Sequence, residues 1–204
     1  MITNHKLPAR FYERDDVSQI AKDLLGKKLC THINGEFTAG VIVETEAYQA
    51  PEDAASHAYL NKKTKRTAPF YQSGGIVYVY LIYGVYKLFN IITNIEGIPH
   101  AVLIRAIEPT EGIDIMLERR NLKQVKRNLT GGPGLMSMAL GIEMIHNGES
   151  IHGDRIWIDY AKPISENQII ASPRIGLGKR VHEPWYSIPW RFRIKGNPFT
   201  SPAK

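Results

Sequence analysis

Three stretches of this chain concentrate residues that can do chemistry. Residues 41–57, VIVETEAYQAPEDAASH, place two glutamates two positions apart and a tyrosine two further on. In an extended strand successive side chains alternate between faces. Over residues 41–48 that puts Glu44, Glu46 and Tyr48 on one face, opposite Val43, Thr45 and Ala47. A carboxylate with a tuned pKa serves hydrolysis as a general base or by orienting water. One glutamate would then do that work while the other positions the strand. The solvated outer face of an antiparallel sheet produces the same pattern, and both readings stay open on pattern alone. Glu44, one pleat from Glu46, is the natural control for any substitution there.

The second stretch, residues 78–90 (YVYLIYGVYKLFN), holds Tyr78, Tyr80, Tyr83 and Tyr86, four tyrosines in nine residues. A core seldom wants so many, because each buried hydroxyl needs a partner. An aromatic-rich amphipathic hairpin is one explanation. A stacking surface for nucleobases is the other, each stack contributing about 1–3 kcal/mol. Tyr83-Gly84 would set a tyrosine on a tight turn, where it could enter a groove as a wedge. The third feature is Arg105, a cation inside the apolar run AVLIRAIE. A charge there must be paired or functional, and on pattern alone a structural salt bridge is slightly the better reading.

These residues need elements to hold them. A helix is predicted over residues 16–25: Val17, Ile20, Ala21, Leu24 and Leu25 fall on one face, with Asp16 able to cap and Gly26 able to stop it. Strands are predicted at 28–33 and 37–46, joined by the hairpin dipeptide Asn34-Gly35. Further strands are expected at 76–81, 85–93, 101–108, 155–160 and 190–195, and further helices at 109–122 and 133–142. Strands adjoin one another without βαβ alternation. The expected fold is therefore α+β: a single domain over 1–204, a curved and largely antiparallel sheet with surrounding helices, and a flexible stretch at 1–10. The basic, then Gly-rich segment 61–75 is short enough to be a loop within that domain.

Bulk properties narrow the partner. The 204 residues suffice for one good core or two small ones, and 43% hydrophobic with 23% charged is an ordinary globular balance. A net charge of +6 favours a polyanion over an acidic small molecule. Basic residues cluster at Lys62, Lys63, Lys65 and Arg66, and again at Arg119, Arg120, Lys123, Lys126 and Arg127; such runs are usually plain solvated faces. The single cysteine, Cys30, forms no disulfide within the chain and reads as a small buried hydrophobe. No apolar leader and no membrane-length apolar run is present. A soluble intracellular protein, cytoplasmic or with the nucleoid, is expected. The seven histidines are scattered, without zinc-site or deaminase spacing, so no metal site is expected. No Walker-type loop occurs, and Gly131-Gly132-Pro133-Gly134 is a weak phosphate signal that a helix-entry turn explains better.

Taken together, VIVETEAYQAPEDAASH, YVYLIYGVYKLFN and AVLIRAIEPTEG, in that order, resemble the alkyladenine (3-methyladenine) DNA glycosylase family. The resemblance runs on through GGPG and ALGI to PRIGLG and RFRIKGNPF, from about Phe11 to Phe199. It implies a monofunctional N-glycosylase of base-excision repair. Such an enzyme flips alkylated or deaminated purines (3-methyladenine, 7-methylguanine, hypoxanthine, etheno-adenine) from double-stranded DNA and leaves an abasic site. It also implies a monomer and no cofactor.

The resemblance assigns roles by position. Glu46 matches the catalytic carboxylate, and Arg105 the arginine that helps hold its water. Tyr48, His57 and Tyr80 match the walls of the base pocket, with the histidine hydrogen-bonding the base. Tyr83 matches the intercalating tyrosine, and Asn90 the asparagine that obstructs the exocyclic amine of guanine. The backbone carbonyl of Ile175 matches a further water contact. The family often reads GPGKL where this chain has Gly132-Pro133-Gly134-Leu135-Met136. The lysine is replaced by Leu135, which leaves a phosphate contact to Lys123, Lys126 or Lys179. Two other classes of function compete: a non-catalytic nucleic-acid-binding domain of the same fold, and a metal-dependent nuclease using Glu44 and Glu46 as ligands.

Overall fold

The computed structural model describes residues 5–178 and 181–201; Lys179 lies outside them. Helix α1 (Ala9–Tyr12) is a single turn. Helix α2 (Val17–Leu24) forms as its pattern predicts, with the Asp16 side chain accepting from the Gln19 N–H at 2.9 Å. Gly26, at φ 81°, reverses the chain into β1 (Lys28–Ile33). Asn34 and Gly35, both at positive φ, turn it into β2 (Glu36–Gln49). The remaining strands are β3 (Val77–Ile82), β4 (Tyr86–Thr93), β5 (His100–Glu111), β6 (Ile156–Asp159), β7 (Ile169–Ser172) and β8 (Arg191–Ile194). Among the described residues, α3 (Ile113–Arg119) and α4 (Pro133–Ala139) are the other α-helices.

The strands form one antiparallel eight-stranded sheet in the order β3-β4-β5-β2-β1-β6, with β8 joined to β2 and β7 to β8. The α+β expectation holds. Strand β2 is its spine, pairing with β5 along one edge and with β1 and then β8 along the other. Register shifts around Glu44 bend it.

One predicted boundary is corrected. Residues 109–111 are strand, not the start of a helix: Pro109 sits opposite Gly40, and the Thr110 hydroxyl donates to Ala39 O at 3.2 Å. Proline tends to open a helix, but here it ends a strand. Gly112 makes the switch at φ 66°, where a Cβ would lie 2.2 Å from Phe37 O. Strand β7 was not expected, because its four residues carry no clear alternation.

Pleat alternation sorts residues between the two sides of the sheet. Val77, Val79, Phe89, Ile91, Val102, Ile104 and Ala47 face the main core with Ile20, Leu24 and Met136. Their neighbours Tyr78, Ile92 and Ala101 point the other way, into a smaller cluster with Phe70, Ala50 and Ala58. That second side is roofed by the 50–75 loop, and the candidate site lies there. Ahead of α1, Leu7 is buried and donates its N–H to Ile158 O at 2.9 Å. Cys30 is buried, and no helix among the described residues is long and apolar enough to cross a membrane.

Candidate active site

A cleft of two lobes opens on that side, about 510 Å³ and about 450 Å³, sharing Tyr48, Tyr80, Ile82, Tyr83 and Gly176. His57, Arg66, Tyr78 and Asn90 line the first. Glu46, Arg105, Leu103 and Leu135 line the second. The structure thus brings Glu46, Tyr48, His57, Tyr80, Tyr83, Asn90, Arg105 and Ile175 to one cleft.

Both glutamates are fully buried, so the outer-face reading fails. Their environments differ. Glu44 accepts from Arg105 Nε at 2.8 Å and from the Ser201 N–H at 2.6 Å, with Arg191 Nε at 3.2 Å. Arg105, Arg191 and Ser201 thus enclose it. Glu46 is held on three sides: the Tyr48 hydroxyl donates to Oε2 at 2.8 Å, Arg105 Nη1 lies 3.2 Å from Oε2, and the Ile175 N–H donates to Oε1 at 3.1 Å. A carboxylate has about four acceptor positions. Among the described residues two donors meet Oε2 and one meets Oε1, so Oε1 carries the fewer partners.

Arg105 serves both glutamates and is 7% exposed. Burial alone pulls its guanidinium down, but Glu46 and Glu44 together outweigh burial, and the net direction is up. It stays charged. Burial and then the Glu46 charge push the Tyr48 hydroxyl well above the ordinary tyrosine range, which keeps it a donor. The sequence left open whether Arg105 is structural or part of a site; it is an ion pair that also lines the cleft.

The first lobe is built of rings. His57 meets Tyr80 edge-on, with centroids 4.6 Å apart, and its Nδ1 lies 2.9 Å from the Tyr78 hydroxyl. Burial, then Arg66 and Lys62, lower the imidazole to about 4, so it is neutral at neutral pH. Burial likewise raises Tyr80 to about 12. Asn90 commits its side-chain N–H groups to Tyr78 O at 3.1 Å and Leu88 O at 3.3 Å, which fixes the amide in the wall. At the rim, Tyr83 and Gly84 turn the β3–β4 hairpin at φ 52° and 69°, leaving Tyr83 86% exposed. A left-handed backbone is unfavourable for a bulky side chain. Glycine would remove that strain, so a tyrosine at this tip points to use.

Sequence reasoning missed a support behind the wall. Arg174 is fully buried as a side chain and forks onto Asp53, with Nη2–Oδ1 at 2.9 Å. It also donates to Ala47 O and Trp185 O, and its guanidinium packs 4.6 Å from the Tyr48 ring centroid. The residue after it, Ile175, supplies the N–H on Glu46. PRIGLG is part of the family likeness, but nothing local in it announces a partner 121 positions away. For Ile175, the contact shown is thus made by the amide; the expected role belonged to its carbonyl.

The basic runs part company. Lys62, Lys63, Lys65 and Arg66 are exposed beside the first lobe. Arg119 pairs with Glu36, and Arg120 caps Leu129 O and Asn128 O, so these two are structural. Lys123, Lys126 and Arg127 are exposed. Leu135, where a lysine was expected, adds apolar wall to the second lobe beside Leu88 and Leu103. Among the described residues no group of three His, Cys, Asp or Glu could hold a metal. Arg105 occupies the place between Glu44 and Glu46 that a nuclease would give to one.

Comparison with known proteins identifies the family. The family model described as methylpurine-DNA glycosylase (MPG) matches residues 10–198. Relatives named "Putative 3-methyladenine DNA glycosylase" include one from Chlamydia felis, 46% identical over 92% of this chain and 95% of its own. One from Natranaerobius thermophilus is 44% identical over 96% and 98%, and one from Bacillus cereus 42% identical over 95% and 98%. With a cleft that joins a braced carboxylate to an aromatic lobe, and a match along nearly its whole length, this chain belongs to the methylpurine-DNA glycosylase family, enzymes that hydrolyse damaged bases from DNA.

Proposed function

We propose that the protein flips a damaged purine into the first lobe and hydrolyses its N-glycosidic bond with a water held on Glu46. The observation that carries this reading is a buried carboxylate, Glu46, fixed in the cleft wall by Tyr48, Arg105 and Ile175 beside the aromatic lobe, with two donors on Oε2 and one on Oε1 among the described residues. A water there donates one proton to Oε1. Its oxygen attacks C1′ as the C1′–N bond breaks; the bonding electrons leave with the base and the water proton goes to Glu46. The carboxylate charge also offsets the positive charge that develops on the sugar.

Tyr48 and Tyr80 line both lobes, which suits a base in one and its sugar in the other. Alkylated purines are electron-poor, stack well on tyrosine and leave readily. Extrusion costs a few kcal/mol, less at a mispaired or damaged base, and Tyr83 filling the vacated stack offsets part of it. Asn90, fixed in the wall, would meet the 2-amino group of guanine. No lysine lines either lobe among the described residues, which supports hydrolysis alone over Schiff-base chemistry and strand cleavage.

The test is excision by purified protein, in chelator, from duplexes each bearing one defined lesion: 3-methyladenine, 7-methylguanine, hypoxanthine or etheno-adenine. Abasic sites with intact strands support the reading. Absence of release from all four, with binding retained, would replace it by a binding domain of this fold.

A further inference from the structure

Arg66 is an exposed residue of the basic 62–66 loop, yet its side chain folds back into the first lobe. Its guanidinium lies 5.2 Å from the Tyr80 ring centroid. Nε donates to the Tyr78 hydroxyl at 3.2 Å, and Nη2 lies 3.3 Å from His57 Nε2. Every one of these partners is neutral: two tyrosines and an imidazole held uncharged at neutral pH. Among the described residues no carboxylate pairs with Arg66. A planar cation therefore sits against the ring and the histidine that a flipped base would use.

From this geometry we infer that Arg66 guards the base lobe, and that an entering nucleotide displaces it by drawing its guanidinium onto a backbone phosphate. The inference rests on the base-flipping reading above. Guanidinium and base cannot occupy the same face of Tyr80. A phosphate offers Arg66 charge-assisted, two-pronged hydrogen bonds that its present neutral partners cannot match. Lys62, Lys63 and Lys65, exposed on the same loop, make that loop an attractive place for the DNA backbone. A free base carries no phosphate, so it must evict Arg66 unaided. The consequence is selectivity for a base still attached to DNA over one already released, which limits inhibition by product.

Removing Arg66 should therefore move two affinities in opposite directions. In the full-length Arg66→Ala protein, free hypoxanthine should bind about two- to fivefold more tightly, since no cation–π contact has to be broken. Duplex DNA carrying a hypoxanthine lesion should bind about three- to tenfold more weakly, and its salt slope should shrink by about 0.9, one phosphate's worth. Arg66→Gln, which keeps a donor for Tyr78 without the charge, should behave alike. Arg66 is exposed, so both variants should fold, as thermal unfolding will show. Free-base affinity that falls or stays constant overturns the guard, and so does an unchanged duplex affinity and salt slope. Those results leave the glycosylase reading intact if wild-type protein still excises lesions through Glu46. A wild-type protein that neither excises a lesion nor binds hypoxanthine would overturn both.

Discussion

Replacing Glu46 with glutamine keeps the side chain's size and removes its charge. A unit charge about 4 Å from the developing positive sugar, at an effective dielectric near 20, contributes about 4 kcal/mol. That is close to 10³-fold in rate, and general-base catalysis by itself contributes about 10²–10⁴-fold. Single-turnover excision at saturating enzyme should fall at least about 10²-fold. Affinity for lesion DNA should stay within several-fold, since Tyr48, Tyr80, His57 and the basic loop remain.

The structure adds a cost that the strand pattern does not show. Both Glu46 oxygens accept hydrogen bonds, so the glutamine NH₂ must face a donor on one side: the Ile175 N–H, or Tyr48 with Arg105. Stability should drop by about 1–3 kcal/mol, measured by denaturant unfolding, and activity should be read where the variant is folded. Glu44, the control suggested by sequence, is no neutral comparator, because Arg105, Arg191 and Ser201 converge on it. Glu44→Gln should destabilise more, by about 3–5 kcal/mol, by stripping the countercharge from buried arginines. A folded Glu46→Gln protein retaining more than a tenth of wild-type turnover would refute the catalytic assignment.

Tyr83→Ala should impair capture of a lesion in duplex DNA more than excision from an already unpaired nucleotide, compared by single-turnover rates at subsaturating enzyme; equal losses would make the residue merely structural. Asn90→Ser should raise excision of undamaged guanine relative to hypoxanthine, two bases that differ at the 2-amino group, and an unchanged ratio would remove Asn90 from the filter. His57 titrates near 4 in the folded protein against about 6.5 unfolded, so its contribution to stability is complete above about pH 6.5 and declines as pH falls towards 4. Unfolding free energy should show a His57-dependent loss of at most about 3 kcal/mol across that window; His57→Gln should flatten it, and an unaltered pH slope would contradict the neutral buried imidazole. Binding to lesion duplex should weaken steeply with salt, whereas a slope of log K against log salt near zero would argue against phosphate neutralisation by the basic loop.

Much of the scaffold was legible because its signals are local. The one-sided apolar stripe of residues 17–25 and its Asp16 cap specify α2, and Asn34-Gly35 specifies the β1–β2 turn, since each depends on neighbours within a few positions. Pleat alternation was equally readable: Glu46 and Tyr48 do share a face, as do Tyr78 and Tyr80. Where local rules conflicted, the reading failed. Pro109 looked like a helix start, but pairing with β2 carried the strand on to Glu111.

The residues that line the cleft could be nominated from type, spacing and family likeness, because strand periodicity puts chemistry-bearing side chains on one face and the motifs supply their roles. What separates the two glutamates could not be. Glu44 and Glu46 have the same type, strand and face, and only the return of β8 and the chain beyond it makes one a buried anchor. The other is braced instead by the Ile175 N–H, which reaches it because Arg174 holds the neighbouring backbone against β2, and it lines the cleft. Those contacts join positions more than a hundred residues apart, and no periodicity or turn preference encodes them. They exist only once the sheet has brought the strands together, because hydrogen-bond accounting in a buried site depends on every donor within reach, whatever its distance along the chain.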